Sequence, residues 1–241
     1  MDEDTLKQFQ EISQILRKRI YNIEMPQAVI LDLDSTLLAA YGKQEGRAFN
    51  FHYRSNGYHP LVCYAGITGD LIKIQLRDGA AYSCTGVTNF LQPILDEYLN
   101  DYPTIHLLLR GDSGFATPDL YKQCEENGTS YVIRLMENFI KESKSGFDFS
   151  AVSSHNRIVN ANRVQVHALA YNIFNWFRRL VLSAKMRKQR IDTVRLKLLK
   201  IAAKVVHSAR YITFKLCSSC PYKNEFYETL SNIGKLNVQL E

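Results

Sequence analysis

The chain has 241 residues, of which 46% are hydrophobic, 11% aromatic and 22% charged, and it carries a formal net charge of +6. That length and apolar content support a buried core and exclude a disordered chain, and no run approaches the ~20 uncharged apolar residues of a membrane-spanning helix. The five cysteines are odd in number and irregularly spaced, which suits reduced intracellular thiols better than a disulfide framework.

The N-terminus, Met1-Asp2-Glu3-Asp4, is acidic and leads into no apolar stretch, so no secretory signal is expected. From Thr5 to Tyr21, Leu6, Phe9, Ile12, Ile15 and Leu16 recur at helical spacing and predict an amphipathic helix, ended by Pro26. Ala28 to Leu33 is a short apolar run bounded by acids, the pattern of a buried strand. Tyr41 to Arg77 is rich in Tyr, Phe, Val and Ile and punctuated by Gly57, Gly66 and Gly69, which predicts two or three antiparallel strands. Thr88 to Leu99 returns to helical period, Ile105 to Leu109 reads as a second buried strand, Pro118 to Asn127 as a helix with proline in its first turn, and Tyr131 to Leu135 as a third strand. From Arg163 onward the pattern is helical. Val166, Leu169, Ile173, Phe177 and Leu180 form one stripe, and Ile191, Val194, Leu198, Ile201 and Val205 form another. The order predicts a mixed α/β sheet with an all-helical C-terminal region.

The charge is concentrated. Between Arg178 and Lys215 twelve Lys and Arg face one acid, Asp192, a local net charge of +11 in an otherwise acidic chain. Such a segment suits a polyanion, nucleic acid first and anionic lipid second, or else a plain solvated lysine-rich surface. On the last long predicted helix Arg190, Lys197, Lys200 and Lys204 share a face apart from the apolar stripe, an arrangement fit for docking on a phosphate backbone.

Chemistry-bearing residues gather at predicted strand ends. In Val29-Ile30-Leu31-Asp32-Leu33-Asp34-Ser35-Thr36, period two points Asp32 and Asp34 to the same side. Ile105 to Gly114 repeats the pattern with Asp112 between two glycines. Carboxylates at neighbouring strand ends repel unless a cation lies between them, and such oxygen-rich sites suit Mg²⁺ or Mn²⁺.

Two resemblances follow. The run Val29 to Leu38 resembles the opening D-x-D-x-T motif of haloacid-dehalogenase-like phosphatases, which would make Asp32 a nucleophile and Asp34 an acid/base. A longer series covers about Ala28 to Ile233: Tyr41-Gly42-Lys43-Gln44-Glu45-Gly46, Gly57-Tyr58-His59-Pro60-Leu61, Thr68-Gly69-Asp70, Leu76-Arg77-Asp78-Gly79, Arg110-Gly111-Asp112-Ser113-Gly114-Phe115, the run Glu137 to Phe147, and Ala170 to Asn175 with Arg178. In that order these blocks resemble bacterial insertion-sequence DDE transposases of DDE domain group 1. The resemblance implies a ribonuclease H-like mixed sheet whose first and fourth strands carry two aspartates, followed by a glutamate on a helix. It assigns Asp34, Asp112 and Glu137 as a catalytic and metal-binding triad for Mg²⁺ or Mn²⁺, with Asp32 and Glu142 as nearby alternatives and Lys144 as a contact to DNA phosphate. It also implies double-stranded transposon-end DNA as the partner, a homodimer as the candidate assembly, and a cytoplasmic, nucleoid-associated location. Asp112 and Glu137 are only 25 positions apart, whereas the family usually places a long β-rich insertion there, so an internally shortened core is expected. Its activity is open, and a non-catalytic DNA-binding remnant is the alternative. The expected organisation is an N-terminal helix in 1–25, a catalytic core in 26–150 and a helical region with the basic face in 151–241.

The other candidates carry less. Cys217-Ser218-Ser219-Cys220 is a lone C-x2-C without the second pair that zinc needs. His52, His59, His106, His155, His167 and His207 show no ligand spacing, and Trp176 and Phe177 fall on a helical stripe that reads as core.

Overall fold

The computed structural model describes residues 2–133, 146–147, 152–207, 211–217 and 219–236. Two compact units divide the chain, Met1–Ile173 and Phe174–Glu241. In chain order the first half forms α1 (Glu3–Ile23), β1 (Ala28–Ser35), β2 (Leu38–Ala39), β3 (Ala48–Asn50), β4 (Ser55–Tyr58), β5 (Leu61–Ala65), β6 (Leu71–Gln75), α2 (Val87–Asp101) and β7 (His106–Gly111). It continues with α3 (Pro118–Glu126), β8 (Ser130–Ile133), α4 (Arg157–Leu180), α5 (Ala184–Arg187), α6 (Ile191–Leu198), β9 (Ala203–His207), β10 (Ile212–Leu216) and α7 (Lys223–Lys235).

The first unit rests on a five-stranded sheet in the order β6-β5-β1-β7-β8. Strand β5 is antiparallel to both β1 and β6, while β1, β7 and β8 are parallel. Parallel neighbours need a crossover, and α2 and α3 supply the two. The first and fourth strands of this sheet, β1 and β7, lie side by side, which is the ribonuclease H-like arrangement expected from the sequence. The Tyr-rich meander is larger than expected: it also folds β2, β4 and β3 into a separate three-stranded sheet.

Burial alternates along β1, so Val29, Leu31 and Leu33 enter the core while Asp32 and Asp34 share the other, half-buried face. The core side packs with Leu61, Cys63 and Ala65 against Phe90, Leu91, Ile94 and Leu95 of α2. The helix α1 is capped by Asp2, whose carboxylate accepts from the Thr5 N–H at 2.9 Å, and acids in its first turn suit the helix dipole. It is tied to α2 by buried Arg17, which forks onto the Glu97 carboxylate at 2.6 Å, and by a 2.8 Å hydrogen bond between the Tyr21 and Tyr98 hydroxyls.

The edge strand β6 is closed by side chains. Asn172 on α4 accepts from the Leu71 N–H and donates to the Leu71 carbonyl, both at 2.7 Å, as a neighbouring strand would. Gln165 donates to the Ile74 carbonyl at 2.7 Å and Arg17 to that of Ile72 at 3.3 Å. This explains a correction to the expected face of α4. Val166 and Ile173 are exposed, and the buried face combines Val164, Ala168 and Tyr171 with Gln165 and Asn172, because unpaired strand edges need amide partners more than methyl groups.

In the second unit Leu182, Met186, Val194 and Leu198 cluster with Phe174, Phe177 and Phe226, and Trp176 is buried as expected. The C-terminal region is helical with one exception. The predicted long helix ends at Leu198, where the N–H groups of Leu199 and Lys200 both reach the Arg195 carbonyl at 2.9 Å. Residues 203–207 and 212–216 then pair as the antiparallel strands β9 and β10. The spacing Ile201–Val205 is four residues, which satisfies a helical repeat and a two-residue strand repeat alike, and β-branched Val205, Val206, Ile212 and Thr213 favour the strand. The expected basic helix face is therefore not formed: Arg190 caps α6, Lys197 lies in its last turn, Lys200 follows it and Lys204 sits in β9.

Candidate active site

The parallel pairing of β1 with β7 sets Asp32 opposite Arg110. Asp34 is the penultimate residue of β1 and Asp112 directly follows β7, so each aspartate sits at the carboxyl end of one of two adjacent parallel strands. Asp34 accepts from the following Ser35 N–H at 2.7 Å. Asp112 begins a short 3-10 turn over Ser113–Phe115 and accepts from the Gly114 N–H at 2.8 Å. Both side chains are half-buried. Hard oxygen donors at neighbouring strand ends are the chemistry that Mg²⁺ or Mn²⁺ accepts, with water and phosphate completing the shell. Among the described residues no three His, Cys, Asp or Glu gather at one point.

Asp32 is committed elsewhere. Arg110 forks onto it with Nε and Nη2, each 2.5 Å from a carboxylate oxygen, and this hydrogen bonding raises the Arg110 pKa. The backbone of Gly66 abuts the pair: a Cβ there would lie 2.5 Å from Asp32 Oδ2 and 3.0 Å from Arg110 Nη2. A nucleophilic carboxylate needs open lone pairs, so this geometry speaks against a phosphatase built on Asp32.

A second support lies beneath the site. Arg77 is buried, and burial pulls its pKa down to about 10, leaving it charged at neutral pH. Its Nε donates to the His59 carbonyl at 2.9 Å and its Nη1 to the carbonyls of Tyr82, Ser83 and Thr85 at 3.1, 3.0 and 2.7 Å. The loop so held presents Ser83, whose Oγ accepts from Ser35 Oγ at 3.0 Å. A Cβ on Gly114 would meet the Ser83 side chain at 3.0 Å, so glycine is what lets the Asp112 turn and this loop close on each other.

His59 is 5% exposed and donates Nδ1–H to the Ala81 carbonyl at 2.7 Å. Burial, then Arg77 and His52, hold its pKa below the ordinary imidazole value. The unfolded chain therefore takes up a proton near pH ~6.5 that the folded chain refuses, and stability contributed by His59 is lost as pH falls below that value. Denaturant midpoints measured between pH 7 and 5.5 are expected to fall more in the parent chain than in His59→Gln, whose amide donates to the same carbonyl. Equal slopes would mean that folded His59 binds its proton normally.

With the site described, likeness to known proteins can be placed. The family model for the Transposase DDE domain group 1 matches residues 1–138 and 135–238. The chain belongs to that family. Among solved structures, this DDE transposase-family chain is similar to the catalytic domain of Mos1 mariner transposase, with 8% identity over 73% of this chain and 96% of that one and a TM-score of 0.34. It is also similar to the Mos1 paired-end complex with left transposon end, at 9% identity, 73% and 63% coverage and a TM-score of 0.32. For the piggyBac transposase synaptic complex with hairpin DNA the values are 18% identity, 45% and 23% coverage and a TM-score of 0.30. The chain thus spans less than two thirds of the piggyBac and Mos1 paired-end chains. No curated protein matches it.

In this transposase-family chain Asp34 and Asp112 sit at the carboxyl ends of adjacent parallel strands, while Asp32 is engaged in its ion pair with Arg110. Glu137, Glu142 and Lys144 lie outside the described residues. Arg190 and Lys200 are exposed and Lys197 half-buried, with its ammonium 5.2 Å from the centre of the Tyr222 ring. Lys204 stands directly opposite Lys215 in the β9–β10 pair. Sequence reasoning overlooked Arg110, Arg77, Ser83 and Gly66 as site supports. Arg110 and Arg77 were inside recognised blocks, yet nothing local shows that a guanidinium will reach a carboxylate or a loop 78 or 6 residues away. No helix among the described residues is long and apolar enough to cross a membrane.

Proposed function

We propose that this chain is the core of a bacterial insertion-sequence transposase, shortened between its second aspartate and its glutamate, that holds Mg²⁺ or Mn²⁺ with Asp34, Asp112 and Glu137 and binds double-stranded transposon-end DNA in the cytoplasm. The observation that carries this reading is the position of Asp34 and Asp112 at the carboxyl ends of adjacent parallel strands. Ile133 pairs with Gly111, the residue before Asp112, and Glu137 follows four positions later in the chain, a length that spans at most ~14 Å. The shortening is supported by the way the family match splits into two blocks that share only residues 135–138, at the point where the family's insertion usually lies.

A bound cation pair would activate an attacking water or orient a 3′ hydroxyl and steady the leaving oxygen. The chain's own residues do the rest. The Ser35 and Gly114 N–H groups aim the two carboxylates, Arg110 keeps Asp32 from competing for the metal, and Arg77 holds the Ser83 loop against the Asp112 turn. DNA is gripped by phosphate contacts from Lys144, Arg190, Lys197, Lys200 and Lys204, where Lys204 and Lys215 form a like-charge pair that an intervening phosphate relieves. One copy per DNA end, a homodimer, is the assembly this reading expects.

Titration of purified chain with Mn²⁺ is expected to show saturable binding that Asp34→Ala or Asp112→Ala weakens by ~10-fold or more, since changes even to outer-sphere residues cost ~10–100-fold. Binding untouched by both substitutions would leave only the DNA-binding remnant. Replacing Lys197, Lys200 and Lys204 together with Gln should lower the log–log salt slope of duplex binding by roughly 0.9 per lost phosphate contact, with sequence preference barely changed. An unaltered slope would make these lysines a solvated surface.

A further inference from the structure

We propose that Cys217 and Cys220 form a thiol–disulfide exchange site, with low-molecular-weight disulfides such as glutathione disulfide as the substrate class. This inference is independent of the metal and DNA reading above. The Cys220 N–H donates to the Cys217 carbonyl at 3.2 Å, closing a four-residue turn, and such turns hold their end Cα atoms within about 7 Å. A disulfide spans about 4.4–6.8 Å between Cα atoms, a separation that this backbone contact allows. Those flanks are fixed: the Cys217 N–H donates to the Ala202 carbonyl at 2.9 Å, and the Lys223 N–H to the Cys220 carbonyl at 3.3 Å at the start of α7.

Accessibility and chemistry agree. Cys217 is exposed and Cys220 half-buried, whereas Cys63 and Cys124 are buried. Both thiols line one cavity of about 110 Å³, together with Lys223, Phe226 and Tyr227. Cys217 Sγ lies 3.1 Å from Ser219 Oγ, and hydrogen bonding from Ser219 lowers the Cys217 pKa. Hydrogen bonding from Ser219 beside an exposed sulfur favours its thiolate, the attacking form. Cys217 is thus the nucleophile and Cys220 the resolving thiol.

The exchange balances as two displacements. The Cys217 thiolate attacks one sulfur of the low-molecular-weight disulfide, forming a mixed disulfide and expelling one thiolate. The Cys220 thiolate then attacks the Cys217 sulfur, closing the intrachain bridge and expelling the second thiolate. The protein loses two electrons and two protons, and the small disulfide gains them as two thiols.

The test equilibrates the full-length reduced chain in glutathione buffers of rising disulfide fraction, quenches with an alkylating agent and maps peptides by mass spectrometry. The expected result is the loss of two thiols per chain as one bridged Cys217–Cys220 peptide, with Cys63, Cys84 and Cys124 still alkylated after unfolding. Cys220→Ser should trap the mixed disulfide on Cys217, and Cys217→Ser should form no bridge. A bridge absent at every ratio, a bridge between two chains, or thiols protected by a tightly held metal until a chelator is added would each overturn the proposal.

Discussion

Incubated with Mn²⁺ and a plasmid carrying its own element ends, the purified chain is expected to bind both and to give neither excised element nor joined product. Metal binding needs only clustered carboxylates, each of which gains from a cation that offsets their mutual repulsion. Strand transfer needs two DNA ends held in register, since its rate comes mostly from positioning and charge stabilisation. A misplacement of ~1 Å already costs ~10²-fold in rate, and the proposed shortening between Asp112 and Glu137 would remove a whole positioning element. Product formation should therefore fall below detection even where binding is intact. Excision or joining that Asp112→Ala abolishes would show that the shortened core suffices.

The second large effect concerns the ion pair below the carboxylates. Asp32→Asn keeps the shape of the side chain but frees the Arg110 guanidinium on the face that carries Asp34 and Asp112. That cation then competes with the metal, and Mn²⁺ affinity is expected to drop ~10-fold although Asp32 is not a ligand. Arg110→Ala should do the opposite. It leaves a third carboxylate beside two others, costing about 1–3 kcal/mol of stability, less than a fully buried pair because the partners' side chains are 30% and 17% exposed. Added Mn²⁺ should restore much of that loss, because three carboxylates then share a cation. Thermal unfolding with and without Mn²⁺ reads both substitutions. Phosphomonoester turnover that disappears with Asp32→Asn and survives Asp34→Asn would instead identify Asp32 as the nucleophile.

The contrast between these two aspartates shows how far the sequence reaches. Short apolar runs that lead into an acid within three residues are local patterns, so β1, β7 and the strand-end positions of Asp34 and Asp112 were legible without a structure. So were α1, α2 and α3, whose spacing, caps and prolines act within a few residues. Asp32 and Asp34 stand two apart on one face, and no local rule distinguishes them. Only the β1–β7 register, which sets Arg110 beside Asp32, does so. The C-terminal strand pair was missed because a four-residue spacing fits both helix and strand, and the choice fell to the pairing of 203–207 with 212–216. The buried amides of α4 were missed because their partners are backbone groups of an edge strand some 90 to 100 residues earlier. By itself the sequence determined the elements, the family and the two strand-end carboxylates, because periodicity and blocks of residues are written along the chain. Which charges are neutralised, which edges are closed and which aspartate pairs with Arg110 were decided by the tertiary structure, because each depends on a partner far away in sequence.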